Sequence, residues 1–267
     1  MIELLSLPFM QRALIGGIVV AILCAVLGIF VTLRRESFIS DAVAHASLAG
    51  VAASFLLAIE PLPLALLVAV AMAVGITYAR KNSQIATDSL IGIFYSIFFA
   101  VGILLLNLST SYKPELSTYL FGSILAITTT DIVISLAVFL ITTVIAIFVF
   151  KQLLYVTFDP EAAYIRGIKV QRIEYLITIL ASITVVISIK VVGIVLVTAL
   201  LIIPATSARL IAANFRAMIP ISIVQSVASV LLGIFISYFT NTSPGATIVI
   251  VSGFMFLVIF VLSRFRH

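Results

Sequence analysis

In the stretch SFISDAVAHASLAG, residues 37–50, an aspartate and a histidine stand four positions apart, as Asp41 and His45. On an α-helix that spacing puts both side chains on one face, about one turn apart. A carboxylate oxygen and an imidazole nitrogen so placed can hold a divalent cation, pass a proton, or hydrogen-bond to each other and lock helix packing. The spacing does not choose among these three. For a cation, two donors are too few, because zinc takes about four ligands and manganese up to about six. The chain's only other histidine is His267, at its end. A two-fold homodimer with these helices at its axis would supply two aspartates and two histidines. Small neighbours, Ala42, Ala44, Ala46, Ala49 and Gly50, would let other helices approach closely.

The setting explains why the pair stands out. Hydrophobic residues make up 63% of the chain, charged residues only 9%, and the mean hydropathy is +1.36, more apolar surface than a water-soluble core could hide. A bilayer core needs about 20 apolar residues per helical span. Such runs fall at 13–33, 40–59, 61–79, 89–108, 131–150, 173–189, 193–212, 218–239 and 246–263. Their length and continuity fit helices rather than barrel strands. The expected fold is therefore all-α: a polytopic membrane bundle of nine helices, or eight if two of the runs are parts of one span. No soluble insertion or linker interrupts the runs, so residues 1–267 read as a single transmembrane domain.

Basic residues are retained on the cytoplasmic side of short loops. With nine spans and the N-terminus outside, the cytoplasmic segments hold Arg34, Arg35, Arg80, Lys81, Lys151, Arg166, Lys169, Arg172, Arg209, Arg216, Arg264 and Arg266. Only Arg12, Lys113 and Lys190 remain outside. The C-terminus is then cytoplasmic. The net charge of +5 reports this bias and not nucleic-acid binding, since no basic cluster is interleaved with aromatics on a soluble surface. The single cysteine, Cys24, lies in the first run and excludes an intrachain disulfide. That run lacks a basic leader and is followed by Arg34 and Arg35, so it reads as an uncleaved span.

Two longer connections carry further signals. The outer one, 109–130, contains KPELSTYLFGSILAI, in which Pro114 can start a short helix presenting Leu116, Leu120 and Ile124 on one face. The inner one contains FDPEAAYIRGIKVQR. There Asp159 can cap a helix, Pro160 suits its first position, Glu161 favours the positive end of its dipole, and Gly167 can end it. These residues specify a short cytoplasmic helix, either a plain surface connection or a contact for a cytoplasmic partner.

Most other carboxylates have ordinary posts. Asp88 and Asp131 sit at helix starts, Glu60 and Glu115 lie outside, Glu36 adjoins two arginines, and Glu174 follows Arg172 by two positions. Around Pro204, the side chains of Thr198, Thr206, Ser207 and Arg209 either line a pathway or bond back to their own helix. The chain has no G-x-x-x-x-G-K-[ST] phosphate loop and no H-E-x-x-H zinc-protease helix. An intramembrane enzyme is disfavoured for want of a spaced nucleophile and base. A proton-coupled carrier using Asp41 and His45 as a relay remains as an alternative class.

Taken in order, SDAVAHASLAG at 40–50, YLFG at 119–122, FDPEAAYIRGIKVQR at 158–172, KVVGIVLVTALLIIPATSAR at 190–209 and SPGATIVI at 243–250 make the chain resemble the permease subunits of zinc, manganese and iron ABC importers, including the bacterial zinc-uptake permeases. The resemblance implies a homodimeric channel in the bacterial inner membrane, surrounded by lipid, with no catalytic role of its own. Two copies of a separate ATPase would drive it and an extracytoplasmic metal-binding protein would feed it. It further implies that Asp41 and His45 meet the metal in the translocation path. Residues Asp159, Pro160, Glu161, Ala162, Ala163, Tyr164, Ile165, Arg166 and Gly167 would form the coupling helix that docks on the ATPase. No permanently bound cofactor is expected; the metal is cargo, with zinc favoured and manganese or iron as alternatives. Zinc-type members often carry an acidic residue after YLFG, where this chain has Ser123.

The charge bias yields a direct test of orientation. In a chain lacking Cys24, cysteines placed at positions 113 and 242 are expected to react with an impermeant thiol reagent on intact cells, and those at 81 and 169 only after permeabilisation. Labelling of position 81 from outside would invert the topology.

Overall fold

The structure, a computed structural model, describes residues 8–108 and 128–265. The described residues form helices and no strands. Eleven helices follow in order: α1 (Pro8–Leu33), α2 (Ser37–Leu57), α3 (Pro61–Asn82), α4 (Thr87–Leu108), α5 (Thr129–Phe148), α6 (Phe150–Phe158), α7 (Pro160–Ile165), α8 (Val170–Val192), α9 (Ile194–Ile211), α10 (Phe215–Thr240) and α11 (Pro244–Arg264). Nine of these, all but α6 and α7, are long and apolar enough to cross a membrane. They coincide with the nine runs of the sequence, with ends displaced by a few residues. The short helix expected after Pro114, the YLFG element and Ser123 lie outside the described residues.

The chain divides into two compact units. One comprises residues 33–114 and 141–187 and contains α2, α3, α4, α6, α7, the end of α5 and most of α8. Here α2 packs against both α3 and α4. Helices in lipid gain little from hydrophobicity at their interfaces and rely on close backbone approach. The small face of α2 supplies it. A Cβ on Gly50 would lie 2.6 Å from the Ala65 Cα and 2.7 Å from the Leu64 carbonyl oxygen, so α3 crosses almost in backbone contact. On α4, a Cβ on Gly102 would meet the Ala49 backbone at 3.2 Å. Between α2 and α3 the chain turns through Ala58 in the left-handed region (φ 53°), and Pro61 occupies the first turn of α3, where its missing N–H costs nothing.

The other unit comprises residues 1–32, 115–140 and 188–267, and its described part holds α1, the start of α5, and α9, α10 and α11. The last three pack together. A polar seam on α10 ties them to neighbours: Ser222 and Ser226 donate to the carbonyls of Ala25 and Ala21 on α1, and Gln225 donates to Ser207 on α9 at 2.9 Å. Asp131 and Thr128 cap the start of α5 reciprocally, and Lys190 pairs with Asp131 at 2.7 Å. These hydroxyls find partners inside the protein, as a membrane interior requires, whereas the buried hydroxyls of Ser135, Thr184 and Ser252 have none among the described residues.

Replacing Gly50 with alanine is expected to lower stability by about 1–3 kcal/mol, because the backbone of α3 must move. Gly92→Ala on α4, where an added Cβ meets nothing within 4 Å, is the matched control and should be neutral or slightly stabilising. Thermal unfolding in detergent compares the two; equal midpoints would remove the close α2–α3 crossing.

Candidate metal site and cytoplasmic helix

Helix α2 begins at Ser37, so Asp41 lies in its second turn, about 6 Å along the axis, and His45 about 12 Å along it. With the assigned topology both belong to the cytoplasmic half of the span. The imidazole is oriented by its own helix: His45 Nδ1 lies 2.9 Å from the main-chain oxygen of Asp41. A carbonyl only accepts, so Nδ1 carries the proton and the lone pair sits on Nε2. From Nδ1 to the Asp41 carboxylate oxygen is 3.8 Å, too long for a hydrogen bond. The two side chains are therefore not locked to each other. The carboxylate is free to take a ligand, with the Asp41 side chain 43% exposed and that of His45 only 13%.

Helix α4 completes the surroundings of the ring. Tyr95 and Phe99 meet His45 edge-on, with centroids at 4.7 and 5.2 Å, and stack on each other at 5.9 Å. Their contact with His45 was not foreseen, although their spacing of four along an apolar helix places both on one face. Among the described residues no group of three His, Cys, Asp or Glu side chains gathers here or elsewhere. One chain brings only these two candidate donors together among its described residues.

The cytoplasmic segment folds as its residues specify. The Asp159 carboxylate accepts from the Ala162 N–H at 2.9 Å, Pro160 opens α7, and Glu161 lies in its first turn. The N–H of Gly167, at φ 75°, donates to the Tyr164 carbonyl, and that of Ile168 to Ala163. Arg166 bonds the Tyr155 hydroxyl at 2.5 Å and lies over its ring, pinning α7 to α6. Burial divides the helix sharply. Ala163 is fully buried, whereas Tyr164 and Ile165 are 75% and 84% exposed. Beside them opens a cleft of about 860 Å³, lined also by Lys169 and Arg172 and by Lys81 of α3.

Around Pro204 the hydroxyls of Thr198, Thr206 and Ser207 bond back to carbonyls one turn earlier on α9, so they serve their own helix. Arg209 is exposed at the end of that helix. The ordinary posts given to Glu36 and Glu174 need correction: both are held by Arg34 and Arg80, bringing residues 140 positions apart into one charged cluster.

A family model described as the ABC 3 transport family matches residues 6–263. The chain belongs to that family. It is 41% identical over 253 residues to the manganese import system permease protein ScaB of Streptococcus gordonii, covering 94% of this chain and 90% of the relative. With the high-affinity zinc uptake system membrane protein ZnuB of Haemophilus influenzae it shares 33% identity over 256 residues, covering 96% of each. A chain of the solved PsaBC from Streptococcus pneumoniae in complex with Fab superposes with a TM-score of 0.86 at 37% identity, over 97% of this chain and 94% of that one. This ABC 3 family member is a metal-importer permease, a multi-pass membrane subunit distinct from the ATPase chain.

Proposed function

We propose that residues 1–267 form one transmembrane domain of a homodimeric importer in the bacterial inner membrane, in which Asp41 and His45 of both copies bind the cation in transit. The observation that carries this reading is the free carboxylate beside an imidazole whose lone pair is confined to Nε2, on a helix buried in a membrane unit. Two chains would bring two oxygens and two nitrogens to one ion. Each state of the dimer would expose that ion to one side of the membrane in turn. Two cytoplasmic ATPase subunits would drive the change through α7, and an extracytoplasmic metal-binding protein would deliver the ion.

Manganese is the cargo proposed first, because an accessible carboxylate suits it and the 41% identical relative is named for manganese import. Zinc, favoured from the sequence, is the second reading; two imidazoles suit it, and the ZnuB relative is named for zinc uptake.

In vesicles containing the full complex, Asp41→Asn and His45→Ala are each expected to abolish ATP-driven uptake of radioactive manganese and zinc while the complex still assembles. Asparagine keeps the size of aspartate but loses its charge, and alanine removes a nitrogen no other described residue nearby replaces. Competition between the two ions in the unmodified complex identifies the cargo. Normal uptake by both well-expressed variants would end the metal-site reading, and dependence on a proton gradient without ATP would favour a carrier.

For the cytoplasmic helix, burial decides which substitution is informative. Ala163→Arg would disrupt the permease itself, whereas Ile165→Arg alters only an exposed side chain. Ile165→Arg should leave the permease folded and dimeric yet abolish copurification of the ATPase. Retained copurification would mean that another surface docks it.

A further inference from the structure

Four charged side chains in the unit that holds α2 close into a ring. Arg34 Nη2 lies 3.0 Å from Glu36 Oε1 and 3.2 Å from Glu174 Oε1; Arg80 pairs with Glu174 at 3.1 Å and also with Glu36. The signs alternate, and each ion has two partners of opposite charge. Arg34 and Glu36 are 6% exposed at their side chains, Arg80 and Glu174 about a quarter. An exposed ion pair of this kind would contribute little. A buried one resists the loss of any member, since the remaining charges would stand unpaired at low dielectric.

The ring joins two places that the proposed function treats separately. Glu36 is the residue immediately before α2 and precedes Asp41 by five positions, about 7.5 Å along the helix. Glu174 lies in the first turns of α8, which follows α7 through residues 166–169. Backbone bonds run along that connection: Gly167 to Tyr164, Ile168 to Ala163, Val170 to Ile168 and Arg172 to Lys169. Lys81, next to Arg80 on α3, adds a bond to Gln171 of α8 at 2.6 Å. Hydrogen bonds and ion pairs thus link exposed α7 to the start of α2.

We infer that Arg34, Glu36, Arg80 and Glu174 are positioning residues that make α7 and the start of α2 one rigid lever, so that displacement of α7 moves Asp41 and His45 instead of bending the connection. What the lever moves rests on the proposed function; its rigidity does not. The ring is neither a ligand set nor a docking surface, and in this role it stays closed as the transporter changes state.

Two measurements test it. In a Cys24→Ala chain, spin labels at Phe38→Cys and Ile165→Cys, both exposed positions, report the distance between the start of α2 and α7 by pulsed electron resonance. The full chain is studied in lipid nanodiscs, diluted with unlabelled chain. One narrow distance is expected when the ring is intact and in Arg80→Lys, which keeps the charge; Glu174→Gln and Arg80→Gln should broaden it. Narrow distances in both neutralised variants overturn the lever. In the assembled complex, Glu174→Gln should reduce metal imported per ATP hydrolysed by about fivefold or more while ATPase copurification persists. An unchanged ratio alongside broadened distances overturns its role in transport. If the unmodified complex moves no metal, the proposed function fails, and the distances still decide whether the lever exists.

Discussion

A chain that lives in hydrocarbon must satisfy its polar groups from within, and nearly every structural choice here follows from that constraint. The backbone meets it by forming helices. Serine and threonine meet it by returning a bond to their own helix, as Ser47 does to Ala44, Thr77 to Ala73 and Ser182 to Thr178. Helix ends meet it with Asp159 and Asn214, whose side chains accept from the N–H groups of Ala162 and Ala217. Charged groups are withdrawn toward the ends and paired there, in the ring around Glu36 and in the Lys190–Asp131 bridge. Against this background the Asp41 carboxylate, on a spanning helix and without a side-chain hydrogen bond, is conspicuous.

Charge pairing and helix packing divide the work of holding α2. Along its middle, Gly50 and Ala49 bring α3 and α4 to near backbone contact, where dispersion and not hydrophobic transfer supplies the attraction. At its start that contact gives way to the charged ring. Removing one member of a buried ion pair typically costs about 3–5 kcal/mol, against about 1–3 for overfilling a tight helix contact. The larger penalty thus sits at the start of the helix, next to the turn that carries Asp41. Were Asp41 and His45 to hold an ion in transit, both devices would help keep them fixed relative to whatever moves them.

The sequence made the spans legible because length and hydropathy are properties of single segments. It also revealed the Asp41–His45 pair and the Asp159–Pro160 helix start, which depend on residues within one turn. What it hid depends on folding. Arg34 and Glu174 are 140 positions apart, so no local pattern announces their pairing, and Glu36 beside two arginines looked sufficiently explained. Tyr95 and Phe99 read as two aromatics among many on an apolar helix until α4 crosses α2. On α7, rotation about the axis was invisible to a six-residue pattern too short to show a face, so the inward side of Ala163 and the outward side of Ile165 could not be told apart.

The unequal burial of the two proposed ligands has a chemical consequence. Asp41 is the accessible member and carries the charge, so it would meet a hydrated cation first and at longest range. His45 is screened by Tyr95 and Phe99, and its Nδ1 is already committed to the Asp41 carbonyl, so it would enter the coordination shell only after the cation has shed water. A site that forms in this order binds weakly at first and completely only when a second copy closes the shell. Transport asks for that behaviour, since a cation held by four preassembled ligands in one chain would be slow to leave, and one held by a lone carboxylate would be hard to distinguish from magnesium or calcium. Sharing the proposed ligands between two chains would make affinity depend on how the chains are disposed, and that disposition is what movement of α7 would control.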